Sequence, residues 1–130
     1  MALIAYTDLN GGAAAFNSDA FVRMRPTHGD SEPRDALTIR VDTKRLHASD
    51  APDELAAALR ASVTLVSLRT PNDLPVWINA ARLDSVTAAL SSIHHPSAQS
   101  VVTLAIRGGP AIEQQVRETV AEVQAAFNAN

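Results

Sequence analysis

The sequence predicts an α+β fold made by tandem duplication of a β-meander-plus-helix unit, residues 1–62 and 63–130. The expected form is two small antiparallel sheets with helices packed on them around one shared core. Three observations carry this reading. Short apolar runs are punctuated by Asn, Gly and Pro, as strands and turns are. The runs of the first half recur in order in the second. Hydrophobic residues make up 46% of the chain and charged residues 19%, a balance that suits a packed globule rather than a disordered chain.

The recurrence is specific. Leu3-Ile4-Ala5-Tyr6 lines up with Leu65-Val66-Ser67-Leu68, and the same spacing pairs Asn10 with Asn72, Phe16 with Ile78, Asn17 with Asn79, Phe21 with Leu83 and Met24 with Val86. After a loop of different length, Ala36–Val41 matches Val101–Ile106, and a helix-like segment follows each. A unit of about sixty residues is marginal in burial, so the two are expected to share a core about a pseudo-two-fold, like a fused homodimer.

In chain order, Leu3–Thr7 reads as a strand and Asp8–Gly12 as a turn whose Asn and Gly tolerate positive φ; Ala13–Phe16 is the return strand. Ala20–Arg25 makes a third strand, Pro26–Asp35 a polar loop and Ala36–Val41 a fourth strand. Asp50 as N-cap, Pro52 in the first turn and Asp53 and Glu54 near the positive end mark a helix start, and Leu55 and Leu59 give it an apolar stripe. The second unit follows with strands at Val63–Arg69, Pro75–Asn79 and Ser100–Ile106. Residues 80–93 suit a strand by the repeat and an alanine-rich helix by the spacing of Leu83, Val86, Leu90 and Ile93. Ile112, Val116, Val120, Val123 and Phe127 follow helical steps and predict one long closing helix.

Composition narrows the function. The absence of cysteine excludes disulfides, thiol nucleophiles and thiolate metal sites, and the net charge of −3 gives no overall attraction to phosphate. The first residues lack a basic region and a long apolar run, so neither a signal peptide nor a transmembrane helix is expected; the location predicted is bacterial cytoplasm or a virion. His28, His47, His94 and His95 have no ligand spacing, and no G-x-S-x-G, H-E-x-x-H or P-loop motif occurs. No catalytic, cofactor or metal residue is therefore assigned.

Two sets of residues remain as binding candidates. Arg23, Arg25, Arg40, Lys44 and Arg45 would form a basic strip for nucleic acid, although Asp30, Glu32, Asp35 and Asp42 are interleaved with them and few aromatics are present to stack on bases. Trp77 and Tyr6 are candidate anchors for a protein partner, with Trp77 either exposed beside a core-facing Val76 and Ile78 or covering the junction between the units. Leu3–Tyr6 and Val63–Leu68 carry no charge or proline to blunt an edge, and would invite strand addition unless they are central in their sheets.

The turn Pro71-Asn72-Asp73, followed by Val76-Trp77-Ile78-Asn79, Leu83, Val86, Val102-Thr103-Leu104 and an amphipathic helix, resembles the small FlbD/SwrD-type flagellar and swarming-motility proteins. The likeness spans each half once and departs from that family in the tandem copy. It implies a small non-catalytic accessory protein and carries over no functional residue. The function expected is thus a protein-binding or assembly module, a phage structural or accessory protein or a bacterial regulatory adaptor, that uses no cofactor and binds a protein partner or itself. A nucleic-acid-associated protein is the alternative, and a small enzyme the third.

Overall fold

The structure, a computed structural model, describes residues 2–27 and 35–129; most of the polar loop read from Pro26 to Asp35, with His28, Asp30, Glu32 and Arg34, lies outside them. The chain is α+β. The first half runs β1 (Leu3–Thr7), β2 (Ala13–Asn17), β3 (Phe21–Pro26), β4 (Leu37–Val41), β5 (Lys44–Ala48) and α1 (Pro52–Arg60). The second runs β6 (Leu65–Arg69), β7 (Pro75–Asn79), β8 (Leu83–Ala88), β9 (Ser100–Leu104), β10 (Ile112–Val116) and α2 (Val120–Asn128). One 3-10 turn joins β2 to β3 and another joins β7 to β8.

Local chemistry explains the boundaries. The β1–β2 turn closes on the Asp8 carboxylate, whose Oδ1 accepts from the N–H groups of Asn10 and Gly12, while Gly11 takes φ 83°, which needs no Cβ. Asn17 and Asn79 each cap a 3-10 turn, with Oδ1 accepting from Asp19 N–H and Ala81 N–H. α2 starts at a capping box, with Thr119 Oγ1 accepting from Glu122 N–H and the Glu122 carboxylate from Thr119 N–H; those bonds hold the Glu122 carboxyl below its ordinary pKa.

Among the described residues the strands form three antiparallel sheets rather than two, ordered β1-β2, β5-β4-β3-β7-β6 and β10-β9-β8. The count differs because β3 of the first half pairs with β7 of the second, Arg23 opposite Ile78 and Met24 opposite Trp77, and fuses a meander from one half to a hairpin from the other. A two-fold relation would also pair β2 with β8. Those strands are in different sheets, so the expected pseudo-two-fold is not the relation found.

The core is correspondingly split. Met24, Ile39, Leu65 and Trp77 on one side of the five-stranded sheet join Ile4, Phe16 and the α1 residues Leu55 and Leu59. Val22, Val66, Val76 and Ile78 on the other join Val102, Leu104, Val116 and the α2 residue Val123. Alternation along β7 sends Trp77 to the first cluster and its neighbours to the second, which is why this strand is apolar without interruption.

Other expectations are corrected. Ile112–Val116 is strand β10, so the closing helix is short and starts only at Val120. Asp50 does not cap α1, which has Ala51 at that place without a side-chain bond; Asp50 Oδ1 accepts from Thr7 N–H at 2.7 Å and ties the helix entry to β1. Residues 83–88 are strand β8. In the strand register Val41 faces Phe21 and Leu104 faces Leu83, whereas the sequence alignment of the halves sets Val41 against Ile106. No helix among the described residues is long and apolar enough to cross a membrane.

Candidate assembly interface

The geometry that links the halves also defines what each half leaves open. In the β3–β7 joint, Phe21 through Arg25 and Val76 through Asn79 are all buried, and the Asn79 Nδ2 donates across it to the Phe21 carbonyl at 2.9 Å. Arg82 pins the joint from the side. Its guanidinium donates to Asp42 Oδ1 at 2.5 Å, to the Asp19 carbonyl at 2.7 Å and to the Ala105 carbonyl at 3.1 Å. Asp42 Oδ1 also accepts from Arg107 N–H at 2.9 Å. The Arg82 hydrogen bond is the chief reason the Asp42 carboxyl is held below its ordinary pKa; the Arg107 N–H adds to it and partial burial opposes both.

β2 and β8, by contrast, have among the described residues a partner on one edge only: β1 beside β2 and β9 beside β8. On β2 Ala13 and Ala15 are exposed, and on β8 Asp84, Ser85, Thr87 and Ala88. Leu3, Leu9, Leu90 and Ile93 are the exposed large hydrophobics among the described residues. Leu3 lies on β1 beside β2, Leu9 in the turn that begins β2, and Leu90 and Ile93 in the turns that follow β8. These four side chains lie on or next in sequence to β1, β2 and β8, three of the strands that end a sheet.

The residues singled out from sequence fall elsewhere. Trp77 is buried, with 6% of its surface exposed, at the junction between the halves; it offers a partner little surface. Tyr6 is half-buried against Phe16 with ring centroids 5.8 Å apart, and burial, then the Asp8 carboxylate, raises its pKa above the ordinary value. Arg23 and Arg25 are buried rather than displayed; Arg23 Nη1 donates to Gln114 Oε1 at 2.6 Å, and both arginines line a cavity of 290 Å³ with Asn72, His94, His95 and Gln115. Arg40 Nε donates to the Asp42 carbonyl, while Lys44 and Arg45 are exposed on the outer strand β5. The five basic candidates therefore do not share one open surface.

His94 and His95 are held in their own turns, Nδ1 of the first accepting from Leu90 N–H and Nδ1 of the second from Ser97 N–H. No group of three or more His, Asp or Glu side chains placed to hold a metal occurs among the described residues. Val63–Leu68, one of the two strands that the sequence offers as a free edge, overlaps β6, which ends the five-stranded sheet; β1 likewise ends its own. Sequence reasoning passed over β2 and β8. The signal available was the alanine run Ala13-Ala14-Ala15 in place of Pro75-Val76-Trp77, too small and uncharged for a strand meant to face water.

Fold and surface together define an α+β protein with half-paired strands fringed by exposed leucine and isoleucine. No protein-family model, no curated protein and no solved structure matches the chain.

Proposed function

We propose that the chain is a non-catalytic assembly or protein-binding module, formed by duplication of one unit, that works by presenting strand edges to another polypeptide. The observation that carries the reading is the pair of half-paired strands β2 and β8 with apolar side chains exposed beside them. An unpaired row of N–H and C=O groups is recognised by strand addition, and neighbouring apolar side chains supply the burial.

Duplication is supported by bonds that recur at matched places. Ser18 N–H donates to the Ala2 carbonyl and Ala80 N–H to that of Thr64; Asp42 N–H donates to Ala20 and Ala105 N–H to Arg82; Ser49 N–H donates to Thr7 and Arg117 N–H to Arg69. Thr7 N–H meets the Asp50 carboxylate and Arg69 N–H the Glu118 carboxylate. A register break falls between Phe21 and Arg23 and again between Leu83 and Ser85. An accessory role of the kind implied by the FlbD/SwrD resemblance is compatible with this.

The test is capture of interacting proteins by the intact chain and by Ala15→Lys and Thr87→Lys, both at exposed positions. Loss of the captured set in folded variants is expected; an unchanged set sinks the reading. The nucleic-acid alternative rests on exposed Lys44 and Arg45 and predicts a gel shift with random DNA or RNA that weakens steeply with salt. No shift at low salt removes it.

A further inference from the structure

The β3–β7 joint gives a template for what covers β2 and β8. By the correspondence between halves, β8 occupies in the second half the place of β3 in the first, and β2 the place of β7. Inside the chain one such pair is formed. The complementary pair is left apart, because the relation between the halves is not a two-fold.

We propose that copies of this chain join head to tail, β8 of one copy pairing antiparallel with β2 of the next in the register of the internal joint. The inference rests on the duplication reading above and goes beyond it in naming the occupant, a second copy, and the contacts. Arg23 opposite Ile78 and Met24 opposite Trp77 translate into Ser85 opposite Phe16 and Val86 opposite Ala15. Continued along the strands, the same register sets Ala88 against Ala13. Carried past their ends, it brings the Leu9 turn alongside Leu90 and Ile93, so three of the exposed large side chains meet one another.

The fourth has its own place. Leu65 on β6 is 8% exposed because it packs in the cluster that holds Leu55 and Leu59 of α1. Its counterpart Leu3 is 76% exposed, with no helix over it. On the other side Leu59 is fully buried, whereas its counterpart Phe127 on α2 is only partly so. A neighbour docked as the halves are docked lays Leu3 of one copy over Phe127 of the other and completes both.

Hydrogen bonding agrees. Asn79 caps its turn through Oδ1 and crosses the joint through Nδ2 to the Phe21 carbonyl. Asn17 makes the same cap, and in the joined copies its Nδ2 reaches the neighbour's Leu83 carbonyl. The intermolecular joint lacks arginine and large apolar side chains at these places, with Asp84, Ser85 and Thr87 where β3 has Val22, Arg23 and Arg25. A head-to-tail contact closes into a ring or runs on as a filament according to its rotation.

The chain has no cysteine, which makes the test direct. Ala13→Cys and Ala88→Cys, both at exposed positions, are prepared as separate proteins, mixed and oxidised. Directly opposed residues of an antiparallel pair lie about 4.5–5.5 Å apart, within disulfide reach. The expected result is a mixed disulfide at least tenfold above that of Ala13→Cys with Asp53→Cys, which places the second thiol on α1. Unmodified chain should have a solution mass in multiples of 13.8 kDa. Asn17→Asp keeps the capping oxygen and loses the donor, so it should weaken association at least tenfold with the melting temperature of dilute chain unchanged.

A chain that stays at 13.8 kDa at high concentration overturns the inference, and so does association without the Ala13–Ala88 bond. In either case, capture of other proteins that is lost in Ala15→Lys leaves the broader assembly reading standing.

Discussion

Replacing Asp42 by Asn should cost the fold about 2 kcal/mol at neutral pH, and the structure dictates both the choice and the size. Asp42 sits at φ 49°, a left-handed conformation that Asn tolerates, so the substitution tests charge rather than backbone strain. It removes the carboxylate facing Arg82, whose side chain is 6% exposed against 18% for Asp42. Breaking a fully buried pair costs about 3–5 kcal/mol, and a hydrogen bond to a charged group contributes about 1.5–3. Arg82 keeps the Asp19 and Ala105 carbonyls as acceptors, which sets the expectation at the lower end. At about 2.1 cal/mol/K of unfolding entropy per residue, the loss lowers the melting temperature by roughly 7 °C.

The assay is urea unfolding of dilute wild type and Asp42→Asn at several pH values. The folded pKa of Asp42 lies below its unfolded value, so the carboxylate stabilises the fold fully above the ordinary carboxylate range. That stabilisation is lost as pH falls through the folded pKa. The gap between the two proteins should therefore be widest at neutral pH and close in acid. Equal stability at pH 7, or a gap that persists in acid, would refute the argument that this ion pair pins the joint.

Trp77→Ala should destabilise by about 4 kcal/mol, the cost of emptying a buried aromatic site, in urea unfolding followed by circular dichroism. A loss under about 1 kcal/mol, well short of that cavity term, would mean the indole is not packed between the halves. Residues 1–62 and 63–130 expressed apart should each lack a cooperative thermal transition, since Leu65 and Trp77 complete the first cluster and Val22 the second. Two sharp transitions would contradict the shared sheet.

The parts of the fold legible in sequence are those encoded locally. The Asp8–Gly12 turn, the third and fourth strands and the start of α1 follow from turn residues, alternation and Pro52. Two strands were hidden by coincidence: Lys44–Ala48 carries too much charge to read as a strand, and Ile112 and Val116 fall four apart by chance of a strand meeting a helix. Thr119-Val120-Ala121-Glu122 is a capping-box pattern that marks where the helix begins, and it outweighs a run of apolar spacings. The union of β3 with β7 had only one trace, the unbroken Val76-Trp77-Ile78, which signals a strand covered on both faces. The edges at β1 and β6 show in the sequence as strands without charge or proline, whereas those at β2 and β8 leave little beyond the alanine run Ala13-Ala14-Ala15, because pairing between distant strands leaves no periodicity.

The two-sided central sheet also sets an order of events during synthesis. When the first sixty residues have left the ribosome, β3 has β4 on one side and nothing on the other, with Val22 pointing at water and Met24 in a cluster still missing Leu65 and Trp77. At a few residues to about twenty per second, that state lasts a second or more until β7 emerges. The nascent first half is thus a sticky intermediate on every polysome, and neighbouring nascent chains are its nearest wrong partners. Codon choice across the segment between α1 and β7 becomes a lever on yield, with slow translation there lengthening the exposure.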